Sequence, residues 1–254
     1  MTILKEVGRD HSYLVDPQGQ LTSRGDARIT ASRAARRLER PISGMPAPAP
    51  RRDRTYRVLN RSYDLIVASV ALILLAPFFL FAAIAIKLGS RGPVFFRQDR
   101  HGLNGNLFRI YKFRTMRTES ADVTGVAQTV KNDPRVTPIG RLLRKTSFDE
   151  LPQILNILRG DMSVVGPRPH VPGMLANGTA YEEFDLRYME RHVVRPGLTG
   201  LAQVNGFRGE TATEYSARMR LEYDLEYIRQ QSILLDIKIT FQTFWREFFR
   251  GSGY

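Results

Sequence analysis

From Leu65 to Ile86 the chain reads LIVASVALILLAPFFLFAAIAI, interrupted only by Ser69 and Pro77. About 20 apolar residues in helical form suffice to cross the hydrocarbon core of a bilayer. The segment is apolar all round rather than along one stripe, which sets it apart from a surface helix of a soluble domain. A membrane helix is therefore the first constraint on the fold. Arg51, Arg52, Arg54, Arg57 and Arg61 precede it, and Lys87, Arg91, Arg97 and Arg100 follow it. Cationic flanks on both sides conflict with a simple span, whose orientation rests on an asymmetry of charge. Pro77 removes an amide donor near the middle and favours a kink. A helix that enters, breaks at Ala76–Pro77 and returns to the same face meets both conditions, so the sequence predicts a re-entrant membrane helix with Pro77 as the break.

The rest of the chain surrounds this element. Its 254 residues carry a formal net charge of +13, which calls for an anionic partner: nucleic acid, lipid headgroups or a phosphorylated substrate. Cysteine is absent, which excludes disulfides and cysteine-based zinc sites. Residues 1–50 are Arg-rich, weakly periodic and end in MPAPAP, the pattern of a mostly disordered basic tail with a Pro/Ala linker. A short helix around Ala27–Leu38 is the one element expected there. Residues 51–91 hold the membrane helix with its basic flanks, and residues 92–254 mix strand and helix patterns in one small α/β unit.

Within that unit, Pro93–Asp99 and Leu107–Phe113 read as strands around HGLNGN, and the Asn-Gly pair at 104–105 predicts a hairpin. Ser147–Arg159 reads as a helix. Two more helical stretches fill Thr213–Arg250, broken near Gln231. In the second, Ile233, Ile237, Phe241, Trp245 and Phe248 recur at helical spacing with Lys238, Arg246 and Arg250 among them. Such an aromatic, basic helix fits either the membrane interface or a protein core, and the preceding membrane segment favours the interface.

The densest polar stretch is Arg141–Pro169, RLLRKTSFDELPQILNILRGDMSVVGPRP. Asp149 and Glu150 are adjacent acids near Arg144 and Lys145, with Arg168 downstream. Ser147-Phe-Asp-Glu150 also has the form of a capping box, in which Glu150 closes a helix start and Asp149 complements its dipole. The other reading is chemical. A helix N-terminus with Arg144, Lys145 and Arg168 would cradle phosphate. A carboxylate inside the cradle could coordinate Mg²⁺, or attack phosphorus once cations have neutralised the diphosphate. Lys112-Phe-Arg114 and the Gly-rich turn opened by Arg195 would complete the cradle. His101, His170 and His192 lack metal-ligand spacing, and no Walker A loop, dinucleotide G-x-G-x-x-G or G-x-S-x-G elbow is present.

Taken in order, these pieces resemble the bacterial sugar transferases, the monotopic phosphoglycosyl transferases. The resemblance is carried by RSYDLIVA at Arg61–Ala68, GPVFFRQDRHGLNGNLFRIYKFRTM at Gly92–Met116, and NDPRVTPIGRLLRKTSFDELPQILNILRGDMSVVGPRP at Asn132–Pro169. RPGLTGLAQVNGFRGET at Arg195–Thr211 and YDLEYIRQQSILLDIKI at Tyr223–Ile239 complete it. It implies a small membrane-associated catalytic α/β domain over residues 92–254, a re-entrant anchor, and a place at the bacterial inner membrane facing the cytoplasm. It also implies transfer of hexose-1-phosphate from a UDP-hexose to polyprenyl (undecaprenyl) phosphate, with UMP released.

By carry-over, Asp149 is the nucleophile that forms an aspartyl-phosphosugar. Asp149 and Glu150 would hold Mg²⁺, with Glu150 as metal ligand or base, and Lys112, Arg114, Arg144, Arg168 and Arg195 would contact phosphate. Family members often carry Ser-Pro at the membrane break, where this chain has Ala76-Pro77. FRGET at Phe207–Thr211 is similar to members that begin exopolysaccharide or capsule repeats with glucose, which favours UDP-glucose; UDP-galactose is the alternative sugar. A non-catalytic membrane scaffold would explain charge and anchor but not acids set among arginines. Nucleic-acid binding lacks any recognisable motif. The oligomeric state, including a homo-oligomer, stays open.

Overall fold

The computed structural model describes residues 13–15, 21–23, 53–117, 133–209 and 211–250. The helix expected around Ala27–Leu38 and the Pro/Ala linker lie outside these. Within the stretch expected to be a tail, β1 (Tyr13–Val15) pairs antiparallel with β2 (Leu21–Ser23).

One helix, α1 (Arg54–Gly89), holds the whole apolar segment and is the one helix among the described residues long and apolar enough to cross a membrane. It starts on an Asp53 cap whose carboxylate accepts from the Thr55 amide at 3.0 Å. Pro77 stands inside it, so the two helices expected around Ala76–Pro77 are a single continuous one. The loss of one backbone bond at Pro77 is offset by packing on both sides of it. On the N-terminal side, Ala68 is buried with Ile154, Ile157, Met162, Val164 and Leu225. On the C-terminal side, Ala82 and Ile86 are buried with Phe113 and Leu143, and Phe79 meets the Phe113 ring at 5.2 Å. Between and around these contacts, Ile73, Leu74, Leu80 and Phe81 remain exposed.

Polar side chains lock the start of α1 to the domain. Asp64, wholly buried, accepts from Ser163 Oγ and from the Val164 amide, both at 2.8 Å. Arg61 caps α3 (Ile154–Arg159), donating to the carbonyls of Ile157 at 2.6 Å and Leu158 at 2.8 Å. A cation there complements the negative end of that helix.

The hairpin appears as expected: β3 (Phe95–His101) pairs with β4 (Leu107–Phe113) from Phe95↔Phe113 to His101↔Leu107. Its turn uses the left-handed conformation at Asn104 (φ 56°) and Gly105 (φ 76°), the residues best able to adopt it. Beyond β4, buried Asn156 acts as a substitute strand. Its Oδ1 accepts from the Tyr111 amide at 2.9 Å and its Nδ2 donates to the Arg109 carbonyl at 2.8 Å, so these two groups of the free edge are satisfied. After α2 (Pro138–Lys145) and a 3₁₀ turn (Phe148–Gln153), α3 leads to β5 (Ser163–Val165), which pairs in parallel with β8 (Gly197–Thr199). Between those two lie the paired β6 (Leu175–Ala176) and β7 (Thr179–Ala180) and the short α4 (Tyr181–Phe184), and α5 (Leu201–Val204) follows β8. The backbones of Gly166 and Gly197 run so close that a Cβ on Gly197 would lie 2.1 Å from the Gly166 nitrogen.

The C-terminal stretch forms α6 (Glu214–Gln230) and α7 (Ile233–Arg250), with the break where Gln231 was expected to make it. In α7, Leu234, Ile237, Phe241, Phe244 and Trp245 are exposed. Its inner face carries wholly buried Asp236, which accepts from Tyr227 at 2.8 Å and from Tyr56 and Asn60 at 3.1 Å each. Burial pushes its carboxyl from 3.8 up to about 6, against the pull of those hydrogen bonds. Because the folded value lies above the unfolded one, this group favours folding once protonated. Its contribution is gained as pH falls through about 6 and is complete below about 4, worth about 3 kcal/mol. The melting temperature of the wild type relative to Asp236→Asn should therefore rise from pH 7 to pH 5. A difference that stays flat over that range would contradict the assignment.

Candidate active site

Strand alternation places the even-numbered residues of the hairpin on one face, including Lys112 of β4 and Arg100 of β3. The Phe148–Gln153 turn is set against β4 and brings two acids to that face. Ser147, just before it, sits in the left-handed region (φ 59°, ψ 13°) and makes no side-chain cap. The capping box read from Ser147 and Glu150 is thus not formed. A left-handed non-glycine residue is a sparsely populated conformation that must be held by its surroundings.

The Glu150 side chain turns instead to cations. Its Oε1 accepts from Lys112 Nζ at 2.7 Å and Arg168 Nη2 at 2.5 Å; its Oε2 accepts from Arg168 Nη1 at 2.9 Å and Arg208 Nη2 at 3.4 Å. Arg168 therefore grips it as a planar fork. Burial pushes the Glu150 carboxyl up, but Arg168 and Lys112 overcome that and hold it well below the usual carboxylate range.

Asp149 differs from its neighbour. It is half-buried and its carboxylate makes no hydrogen bond or ion pair among the described residues. Burial raises its carboxyl, Lys112 opposes the rise, and the adjoining Glu150 charge adds to it. As pH falls, Asp149 takes up a proton before Glu150 does. Environment has split two adjacent acids into a fixed, ionised one and a free one, the arrangement by which sites divide roles between paired carboxylates. Arg144 of α2 lies within electrostatic reach of Asp149 and is oriented by its Nε bond to Thr115 Oγ1 at 2.8 Å.

Lys112, Arg144, Arg168, Asp149 and Glu150 are thus brought together. Arg114 and Arg195 are held elsewhere. Arg114 is buried and donates to the carbonyls of Ser90 and Arg91 at 2.7 Å each, closing the end of α1. Arg195 donates from Nε to the Gly160 carbonyl at 2.9 Å. In this structure both make backbone bonds that tie segments together.

Two cations were not singled out in advance. Arg208, inside FRGET, reaches Glu150 directly. Arg100 donates to the Pro169 carbonyl at 3.3 Å and to Gln98 Oε1 at 2.6 Å. Burial, with Arg168 nearby, pulls its guanidinium down to about 10. The alternation that points Lys112 inward also points Arg100 inward, so that signal was available. Arg208 follows a turn at Gly206, and no periodic pattern marks its direction. Gln153 lies one 3₁₀ turn beyond Glu150 and so on the same face; it is buried, with neither end of its amide hydrogen-bonded among the described residues. His101, His170 and His192 gather elsewhere, with the His101 and His192 rings 5.2 Å apart, and no group of metal-ligating side chains of three or more occurs among the described residues.

A cationic cradle beside an unengaged carboxylate can bind a diphosphate and present it to an oxygen nucleophile. Comparison with known proteins gives several named relatives. The chain is 54% identical over 197 residues to "Exopolysaccharide production protein PSS" of Rhizobium leguminosarum bv. phaseoli, covering 78% of this chain and 98% of that protein. It is 47% identical over 198 residues to "UDP-glucose:undecaprenyl-phosphate glucose-1-phosphate transferase" of Escherichia coli (strain K12), covering 78% of this chain but 42% of the longer relative. A protein of Aeromonas hydrophila named "UDP-N-acetylgalactosamine-undecaprenyl-phosphate N-acetylgalactosaminephosphotransferase" is 41% identical over 191 residues, covering 74% of this chain and 43% of that protein. Residues 55–250 match the family described as "Bacterial sugar transferase", and the chain belongs to that family.

Proposed function

We propose that the chain transfers glucose-1-phosphate from UDP-glucose to undecaprenyl phosphate, as the first step in assembling an exopolysaccharide repeat unit. The observation that carries this is the unengaged Asp149 carboxylate beside a Glu150 that gathers three cations. The reaction then runs in two displacements at one phosphorus. An Asp149 oxygen attacks the β-phosphorus of the UDP-sugar, the bond to the bridging oxygen breaks, and UMP leaves with that oxygen. An oxygen of the polyprenyl phosphate next attacks the same phosphorus and the Asp149 oxygen departs, restoring the carboxylate. Splitting one displacement in this way is covalent catalysis. Lys112, Arg144, Arg168 and Arg208 would screen the negative charge that otherwise repels a carboxylate from a diphosphate.

Mg²⁺ fits the donor set in part. That ion is held through one or two carboxylates plus substrate phosphates and waters, so an all-protein cage is not required. Asp149 has free oxygens for it; those of Glu150 are taken by cations. When bound, Mg²⁺ would neutralise diphosphate charge.

Glucose is favoured over galactose because several relatives of about half identity are named for UDP-glucose, among them those of Escherichia coli and Klebsiella pneumoniae. The test is UMP release by purified protein with undecaprenyl phosphate and a panel of UDP-hexoses. UDP-glucose should turn over fastest, and faster turnover of another UDP-hexose would reassign the donor. A total lack of turnover would leave the reaction without support.

The same reading has α1, one helix across Pro77, bend at that proline as a re-entrant anchor, with the catalytic domain on the cytoplasmic face. A straight helix of this length would be about 54 Å long, well beyond the bilayer core. Yet Asp64 near its start and Ile86 near its end both dock on the one domain. Both ends therefore belong on the domain's side, with the exposed apolar residues between them in lipid. Since the protein has no cysteine, single cysteines at Arg57 and Arg91 report this directly. Both should react with an impermeant thiol reagent only when the cytoplasmic face is accessible. Labelling from opposite faces would replace the anchor with a span.

A further inference from the structure

Behind the cations that hold Glu150 lies a layer of buried arginines that touches neither carboxylate. Arg191 donates to Asp224 Oδ2 from Nε at 3.0 Å and from Nη2 at 2.6 Å, and its Nη2 also reaches the Arg168 carbonyl at 2.7 Å. Arg220, in the middle of α6 and 3% exposed, donates from Nε to the Phe207 carbonyl at 2.9 Å and from Nη2 to the Gly209 carbonyl. Those two carbonyls flank Arg208. The same loop is held from another side, where the Phe207 ring meets Tyr223 at 5.5 Å and Tyr215 at 6.0 Å.

Arg220 has no carboxylate at ion-pair distance among the described residues, because Asp224, one turn further along α6, is taken by Arg191. Burying a guanidinium without a bonded counter-ion is costly, and an apolar side chain of similar volume would pack the site better. Packing therefore does not ask for a charge at this place. Bridging two carbonyls two residues apart does ask for a planar fork with donors on separate nitrogens, which lysine lacks. Arg208, whose backbone is fixed in this way, makes the longest of the four contacts to Glu150, at 3.4 Å. Its backbone is anchored where its head reaches Glu150 beside Asp149, which places a guanidinium on the face where a diphosphate would meet that acid.

We propose that Arg208 engages the diphosphate of the nucleotide-sugar donor and that Arg220 is the positioning residue that sets it. This rests on the reading of the site as a sugar-phosphate transferase. Arg220→Lys keeps the charge and loses the bridge. Measured as UMP release in lipid nanodiscs, it should raise KM for UDP-glucose about tenfold and leave kcat within about twofold in the protein that folds, with some fall in melting temperature because the bridge to two carbonyls is lost. Arg208→Ala should raise KM at least as much, and the double variant should be no worse than Arg208→Ala alone, because both act through one contact.

A role confined to stability would lower the melting temperature and the yield of active protein without moving KM. A folded Arg220→Lys with wild-type KM, or effects that add independently in the double variant, would overturn the proposal. If Arg220→Lys is not recovered folded, Phe207→Leu loosens the same loop without disturbing a buried charge, and must show the same non-additivity with Arg208→Ala. Wild-type protein inactive towards every UDP-hexose would defeat the reading of the site and this proposal with it; an active wild type with independent variants defeats this proposal alone.

Discussion

Replacing Asp149 with asparagine should lower UMP release from UDP-glucose by at least about 1,000-fold, the scale on which loss of a covalent nucleophile is felt. The loss should appear in the first half-reaction. Without polyprenyl phosphate, the wild type should release about one UMP per active site and retain the labelled sugar phosphate on the protein. The variant should do neither. Folding should be preserved, because the carboxylate that is changed makes no hydrogen bond or ion pair among the described residues. Glu150→Gln provides the contrast. It leaves the nucleophile in place but withdraws the charge that Lys112, Arg168 and Arg208 share, so melting temperature and turnover should fall together while labelling persists. Labelling retained in Asp149→Asn and lost in Glu150→Gln would exchange the roles of the two acids.

Much of this was legible in the sequence, for identifiable reasons. The Asn104–Gly105 turn, the strands around it and the break at Gln231 are local features, and local backbone preference decided them. The apolar segment announced a membrane helix by composition alone. What Pro77 does to it was less legible, since packing of Phe79, Ala82 and Ile86 against Phe113 and Leu143 supports the helix beyond the proline. The capping box failed because its acid had stronger partners from other parts of the chain. Lys112 is 38 residues away from Glu150 and Arg168 is 18, and no window around Ser147 contains them both. For the same reason a basic residue in a motif says little about its target. Arg168 and Lys112 meet the acids, whereas Arg114 and Arg195 meet backbone carbonyls.

The polar groups of α1 extend that point from the site to the anchor. Arg61 and Asp64 stand in the RSYDLIVA motif at the entry to an apolar segment, where charge is expensive unless it is matched. Both are matched by the domain: Arg61 by the end of α3, Asp64 by Ser163 and Val164 of β5. These contacts join α1 to the two elements that follow the Phe148–Gln153 turn, α3 and β5. The helix is thus part of the domain's own core.

Arg114 supplies the matching tie at the far end, and Arg114→Ala should accordingly destabilise the protein by roughly 3 kcal/mol, about a hundredfold in the ratio of folded to unfolded chains. The last carbonyls of a helix have no partner within it. Arg114 donates to the carbonyls of Ser90 and Arg91 at 2.7 Å each, joins the Ser90 amide on the Ile86 carbonyl at 3.3 Å, and reaches Ser90 Oγ at 3.0 Å. It follows β4 directly, so one side chain joins the strand that carries Lys112 to the end of the membrane helix. A buried cation at a helix C-terminus also gains from the macrodipole, and alanine forfeits that as well. The melting temperature should fall by about 10 °C for a domain of this size, while KM for UDP-glucose in the protein that remains folded should stay within about twofold. Arg114→Lys should recover only part of the loss, because an ammonium cannot span carbonyls that a guanidinium fork reaches together. A phosphate ligand would behave in the opposite way, weakening donor binding about tenfold without moving the melting temperature. Finding that pattern would return Arg114 to the cradle and leave the end of α1 without the tie that holds it to β4.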